Sequence, residues 1–245
     1  MERGIPYSAA EASSLLGWWS DAGVDTIVTE EPRDWLRPAP PPAPAATVAN
    51  AAKAFAPAEE ELPGQLDLFQ AWLARSDRLS FAAPSAPRIC PSGDPASGVM
   101  ILADMPSGED CQAGALIAGE SGRLFDRMLA AIGRDRASIY LAALSCLRSP
   151  DGRLTGAPAQ QCATLARHHI GLVAPRALLL LGDSCAKALL GLSMVQARGR
   201  WHEVATHSGP IRTLVTIPPD FLLRQPGHKA RAWADLQMLI EEVRR

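Results

Sequence analysis

The sequence predicts an α/β protein: a three-layer αβα domain over residues 64–245, built round a four-stranded parallel sheet, with a helical appendage at its N-terminus. Two observations predict it. From residue 98 onward, short unbroken apolar runs alternate with amphipathic helical stretches, the pattern of a parallel sheet covered on both faces. Upstream, a Pro/Ala-rich stretch over 38–63 is too poor in bulky residues to build a core and reads as an extended spacer.

In the appendage, residues 1–37, Ser8-Ala-Ala-Glu11 reads as a capping box. Leu15, Leu16, Trp18 and Trp19 follow at helical spacing, and Gly23 suits the end of that helix. A further helix is expected at about 65–75, with Leu66, Phe69, Trp72 and Leu73 on one stripe. Val99–Ala103 reads as the first buried strand and Gly122–Ile132 as the helix after it. Ser138–Leu144 is the second strand, and Pro158 suits the first turn of a helix reaching Val173. Ala177–Leu181 is the third strand, Ser184–Leu190 a helix, Leu214–Ile217 the fourth strand and 228–243 the last helix. Sheets of this kind bind ligands at the carboxyl ends of their strands, here residues 103–110, 142–148, 182–184 and 217–221.

Composition narrows the class. An apolar share of 47% and a charged share of 20% are ordinary for a soluble globular protein. No apolar run approaches the ~18 residues that span a bilayer. The opening Met1-Glu-Arg3 lacks the apolar core of a signal peptide, so a cytoplasmic location is expected. Five scattered cysteines form no C-x-x-C pair and no disulfide framework. The net charge of −2 divides into −6 over residues 1–97 and +4 over 98–245, and most cations of the second part are arginines. An Arg-rich domain is compatible with phosphate contacts. No P-loop or G-x-G-x-x-G is present, so a nucleotide-binding role has no specific support.

From residue 98 to 237 the motifs resemble those of uracil-DNA glycosylases of the family 4 kind. Ala103-Asp-Met-Pro-Ser107 stands where that family has Gly-Glu-Ala-Pro-Gly. Gly114, Gly119-Glu-Ser-Gly122 and Leu124-Phe-Asp-Arg-Met-Leu129 follow in register. Cys162 through Gly182 aligns without a gap, and Ala186–Gly191, Arg198–Trp201 and Leu222-Leu-Arg224 complete the pattern. The resemblance implies the glycosylase fold, association with DNA and base-excision chemistry.

That chemistry flips a base out of the duplex and breaks its bond to the sugar. It needs donors aimed at the departing base anion and a polar group near the sugar. Carried over by the resemblance, the catalytic acidic residue falls at Asp104, one methylene shorter. The stacking ring falls at Ile117 and the base-reading amide at or next to Ala142; neither side chain serves the role. The catalytic histidine falls at Pro218, which has neither a side-chain donor nor a backbone N–H. Loss of one such donor costs about 2.7–4 kcal/mol of transition-state stabilisation. The expectation is therefore a glycosylase homologue with little or no uracil excision, in which Asp104 is the one retained polar candidate.

A repurposed carboxylate cluster of Asp104, Glu109, Asp110 and Asp220 is an alternative, with solvated loop and helix-start acids as the plainer reading. Asp220 is also placed beside the substrate. Arg198, Arg200, Arg224 and Lys229 flank the strand-end loops and are the candidates for DNA phosphate. His168 and His169 fall on a helix as packing or surface residues, and His202 and His207 in a loop after Trp201. Members of the family carry a four-iron cluster on four cysteines. Only Cys146 and Cys162 fall at ligand positions, with Leu79 in the region of the missing pair, so no cofactor is expected. DNA is the expected partner. A related inactive fold is that of the psi subunit of the replicative clamp loader, which meets its partner through an N-terminal peptide. The Trp-containing residues 8–36 on their tether would suit such an adaptor, with a replication or repair protein as partner.

Overall fold

Unbroken apolar runs form the centre of the sheet because every residue in them must be buried. The structure, a computed structural model, describes residues 62–82 and 86–243. The helix and tether expected over 1–37 and 38–63, and with them the adaptor peptide 8–36, lie outside the described residues apart from Leu62 and Pro63.

Strand β2 (Val99–Ala103) and β4 (Ala177–Leu181) are buried at every position. With β3 (Tyr140–Ala143) and β6 (Gly209–Thr216) they make four parallel strands in the order β3-β2-β4-β6. The sheet is wider than the four strands expected. A two-residue β1 (Ser92–Gly93) pairs antiparallel with β3, and β5 (His202–Thr206) pairs antiparallel with β6. β5 faces the core at Val204 while Glu203 and Ala205 point outward, so its apolar content is low and it reads as loop. His202 and His207 are therefore on a hairpin and not in a free loop: His202 opens β5, its Nε2 2.8 Å from the Ala197 carbonyl, and His207 packs its ring on His168 at 5.2 Å.

Helices cover both faces. On one, α4 (Gly156–Val173) and α5 (Asp183–Leu190) pack on Met100, Leu102, Leu178 and Val215. On the other, α3 (Gly119–Ala131) and α8 (Lys229–Val243) pack on Ile101, Leu141, Leu179 and Leu214. The two sets alternate along each strand, as the pleat requires. Helix α1 (Leu66–Arg75) sets Phe69 and Leu73 against Leu79 and Leu147, on the stripe that its spacing predicts. Three short helices escape the periodicity: α2 (Gly108–Ala113), α6 (Met194–Ala197) and α7 (Pro219–Arg224).

His169 lies inside, its Nε2 2.8 Å from the Tyr140 hydroxyl, and burial pushes its pKa down to about 4. Among the described residues no helix is long and apolar enough to cross a membrane.

Candidate active site

The carboxyl ends of β2, β4 and β6 open into a cleft of about 390 Å³, where the parallel sheet leads a ligand site to be expected. Asp104 is the first residue past β2 and lines the cleft. The Ser184 hydroxyl, in the first turn of α5, donates to its Oδ2 at 2.7 Å. Its Oδ1 is buried without a hydrogen-bond partner among the described residues. Burial pushes the Asp104 carboxyl up from the usual carboxylate range; the Ser184 bond pulls it down and the charge of Asp220 raises it further. A desolvated carboxylate with a free oxygen is what proton abstraction or cation stabilisation calls for. Asp104 and Ser184, with Gly152 and Asp183, also line a second opening of about 660 Å³.

Pro218 closes the opposite side. It follows the buried Ile217 at the end of β6 and precedes Pro219, the first residue of α7. Its carbonyl accepts from the N–H groups of Phe221 and Leu222. A Cβ on Gly182 would meet the Pro218 ring at 3.4 Å, and Gly182 has φ of +91°. The turn from β4 into α5 therefore uses glycine for its backbone angle, with the Pro218 ring at ordinary van der Waals distance. Two consecutive prolines leave no N–H at this edge of the cleft.

Ile117 lines the cleft too, in the left-handed region at φ of +53°, an outlier for a β-branched residue. Arg136 holds it there: Nη1 donates to the Leu116 carbonyl at 2.8 Å and Nη2 to the Ile117 carbonyl at 2.7 Å. Ala142 lies elsewhere, fully buried in the core among Met100, Leu102 and Tyr140.

The carboxylates expected to cluster divide. Asp104, Asp110 and Asp220 line the same cleft, but Glu109 does not and lies against Gly119. Asp110 is taken up by the backbone: it accepts from Ser107 N at 2.9 Å and Ala118 N at 2.6 Å, closing a capping box on α2. Asp220 is exposed and paired with Arg224 at 2.9 Å.

The candidate phosphate contacts scatter. Arg198 is turned inward, its Nη2 2.7 Å from the buried Asp235 carboxylate and 2.8 Å from the Arg231 carbonyl. Arg200 is exposed and donates to the Gln196 carbonyl. Lys229 starts α8 and borders an apolar groove with Trp233 and Leu124. Of the four, Arg224 lies nearest the cleft, through its bond to Asp220.

Two cleft residues went unremarked in the sequence. Ser184 stands 80 positions from Asp104, and only its place at a strand end marks it. Arg148, in the loop after β3, lines the cleft and donates from Nη1 to the Pro106 carbonyl at 3.0 Å.

The thiols of Cys146 and Cys162 line a separate cavity of about 30 Å³, walled by Phe69, Leu73, Leu79 and His169. Burial pushes the Cys146 thiol up to about 11 and raises Cys162 as well. All five cysteines are free.

With this geometry in view, residues 90–237 match the family model described as the uracil DNA glycosylase superfamily. A type-4 uracil-DNA glycosylase of Pyrobaculum aerophilum is 25% identical over 153 residues, covering 60% of this chain and 78% of the relative.

Proposed function

Because this chain belongs to the uracil DNA glycosylase superfamily, we propose a reading of its cleft as a family 4-like, DNA-directed base-excision site that releases uracil poorly. The observation that carries it is the pairing of a retained, desolvated Asp104 with a proline at 218. Asp104 supplies the half of the chemistry that faces the sugar, by steadying positive charge at the anomeric carbon or taking the proton of an attacking water. The half that faces the base lacks its donor at 218, and Ile117 offers no aromatic ring for stacking.

The reading includes no resident iron–sulfur cluster. Two thiols do not complete the four-ligand set of a cubane. The cavity that they line holds about one water molecule.

A single-turnover assay on duplexes carrying uracil, hypoxanthine or an alkylated purine tests the proposal, with Asp104→Asn as control. The expected result is abasic product that depends on Asp104, with uracil released about 10²–10³ more slowly than by a donor-bearing relative. Uracil release as fast as that of the type-4 relative, or no product above the control from any base, overturns it.

A further inference from the structure

We propose that Arg148 is the group that meets the departing base, and that it supplies the part of the charge stabilisation that survives without a donor at 218. The proposal rests on the base-excision reading and names the residue that completes it.

Charge accounting in the cleft leads there. Its lining carries four carboxylates, Asp104, Asp110, Asp183 and Asp220, and Arg148 as the one cation among the described residues. Three of the carboxylates are already satisfied. Asp110 accepts two backbone N–H bonds, Asp183 pairs with Lys187 at 2.6 Å and Asp220 with Arg224 at 2.9 Å. Asp104 and Arg148 remain, one of each sign, without an ion pair among the described residues. A breaking glycosidic bond has the same layout: positive charge gathers on the sugar and negative charge on the base.

The loop that carries Arg148 is held firmly. Leu147 and Ser149 on either side are buried. The Ser145 hydroxyl donates to the Leu147 carbonyl at 2.7 Å, and the Ser149 hydroxyl donates to Asp151 at 2.7 Å. With both neighbours fixed inward, the Arg148 side chain leaves toward the cleft. Its one side-chain bond among the described residues, to the Pro106 carbonyl, ties the loop after β3 to the loop after β2 and orients the guanidinium. A guanidinium has five N–H donors, so the remaining N–H groups are open to a ligand. It also stays charged at any working pH, so it acts by attraction and not by proton transfer.

The step balances without another reagent. The bond from C1′ to the base nitrogen breaks, and its electron pair leaves with the base, whose carbonyl oxygen accepts from Arg148. A solvent water adds its oxygen to C1′ and passes a proton to Asp104, which returns it to solvent. The base takes up a proton from solvent, leaving an abasic sugar.

Leaving-group charge separates this role from a phosphate contact or a loop staple. Uracil and hypoxanthine leave as anions, whereas 7-methylguanine is cationic in the duplex and leaves neutral. Arg148→Ala is expected to slow uracil and hypoxanthine release about 10²–10³-fold, while 7-methylguanine release stays within about threefold. Arg148→Lys should recover part of the loss, and Arg148→Gln, which keeps a donor for Pro106 without the charge, should behave like Arg148→Ala. Equal losses on all three bases overturn the proposal, because they identify a contact to the DNA or to the loop. Unchanged release of uracil by Arg148→Ala and Arg148→Gln overturns it as well, leaving the base-excision reading intact. Failure of the unsubstituted protein to release any base above Asp104→Asn overturns both.

Discussion

Arg198→Ala separates a structural cation from a DNA-binding one. In sequence, Arg198 stands beside a strand-end loop and invites a phosphate. In the structure its Nε and Nη2 reach Asp235 at 2.9 and 2.7 Å, and the Thr216 hydroxyl adds a third bond at 2.8 Å. Asp235 is 1% exposed. Removing Arg198 strands a buried carboxylate, and breaking such a pair costs about 3–5 kcal/mol. At about 2–4 °C per kcal/mol for a domain of this size, the melting temperature should drop by about 6–20 °C at pH 7. The sign of the pH dependence follows from the proton balance. Burial already raises the Asp235 carboxyl above its ordinary value, against the pull of Thr216 and Arg198. The folded state therefore binds this proton more tightly than the unfolded chain, and stability falls as pH rises through that window. Without Arg198 the carboxyl rises further and the window widens upward, so the deficit of the variant shrinks on acidification toward pH ~4, the unfolded value. Adding Asp235→Asn should restore part of the loss, since the stranded charge goes with it. The assay is thermal and urea unfolding from pH 4 to 8, with duplex affinity measured at low salt. A variant that melts within about 2 °C of the parent but binds duplex tenfold more weakly would refute the reasoning.

Three further outcomes are expected. Pro218→His returns a donor to the edge of the cleft and should raise single-turnover uracil release by as much as about 10²–10³; no gain would show that the edge at 218 does not face the departing base. Base release should rise with pH as Asp104 ionises, with its rising limb above the ordinary carboxylate range because burial lifts that group, and Asp104→Asn should leave a flat, low profile. Protein purified without oxygen should contain iron far below four atoms per chain by elemental analysis, and a stoichiometric four would refute the reading of Cys146 and Cys162.

What could be read from the sequence was local, and what could not was pairing at a distance. Val99–Ala103 and Ala177–Leu181 declare themselves because a central parallel strand is apolar at every position. β5 hides because an edge strand keeps polar residues on its open face. α7 hides behind Pro218-Pro219, which reads as loop although proline at the first helical position is favourable. α2 starts on a capping box with Asp110 in the place of the usual Glu or Gln. Asp104 could be found by motif and Pro218 by register. The partners that define their chemistry come from distant helices and loops: Ser184 to Asp104, Asp235 to Arg198, Arg148 to the whole cleft. No spacing rule reaches across 37 or 80 residues.

The energetics of the cleft argue for use over mere scaffolding. Asp104 keeps a buried oxygen with no partner among the described residues, and leaving such an atom unpaired costs about 1–3 kcal/mol. Ile117 beside it sits in a left-handed conformation, at a cost on the order of 1–3 kcal/mol, and needs two bonds from Arg136 to stay there. Neither feature helps the sheet to fold: the core packs through Met100, Ile101, Leu179 and Val215, well supplied with apolar partners. A protein that used this fold only as a platform would be more stable with an apolar residue at 104 and glycine at 117. Strain gathered at one strand-end cleft, lined as well by a guanidinium with no ion pair among the described residues, is the pattern of a site held ready for a ligand that brings both charges with it.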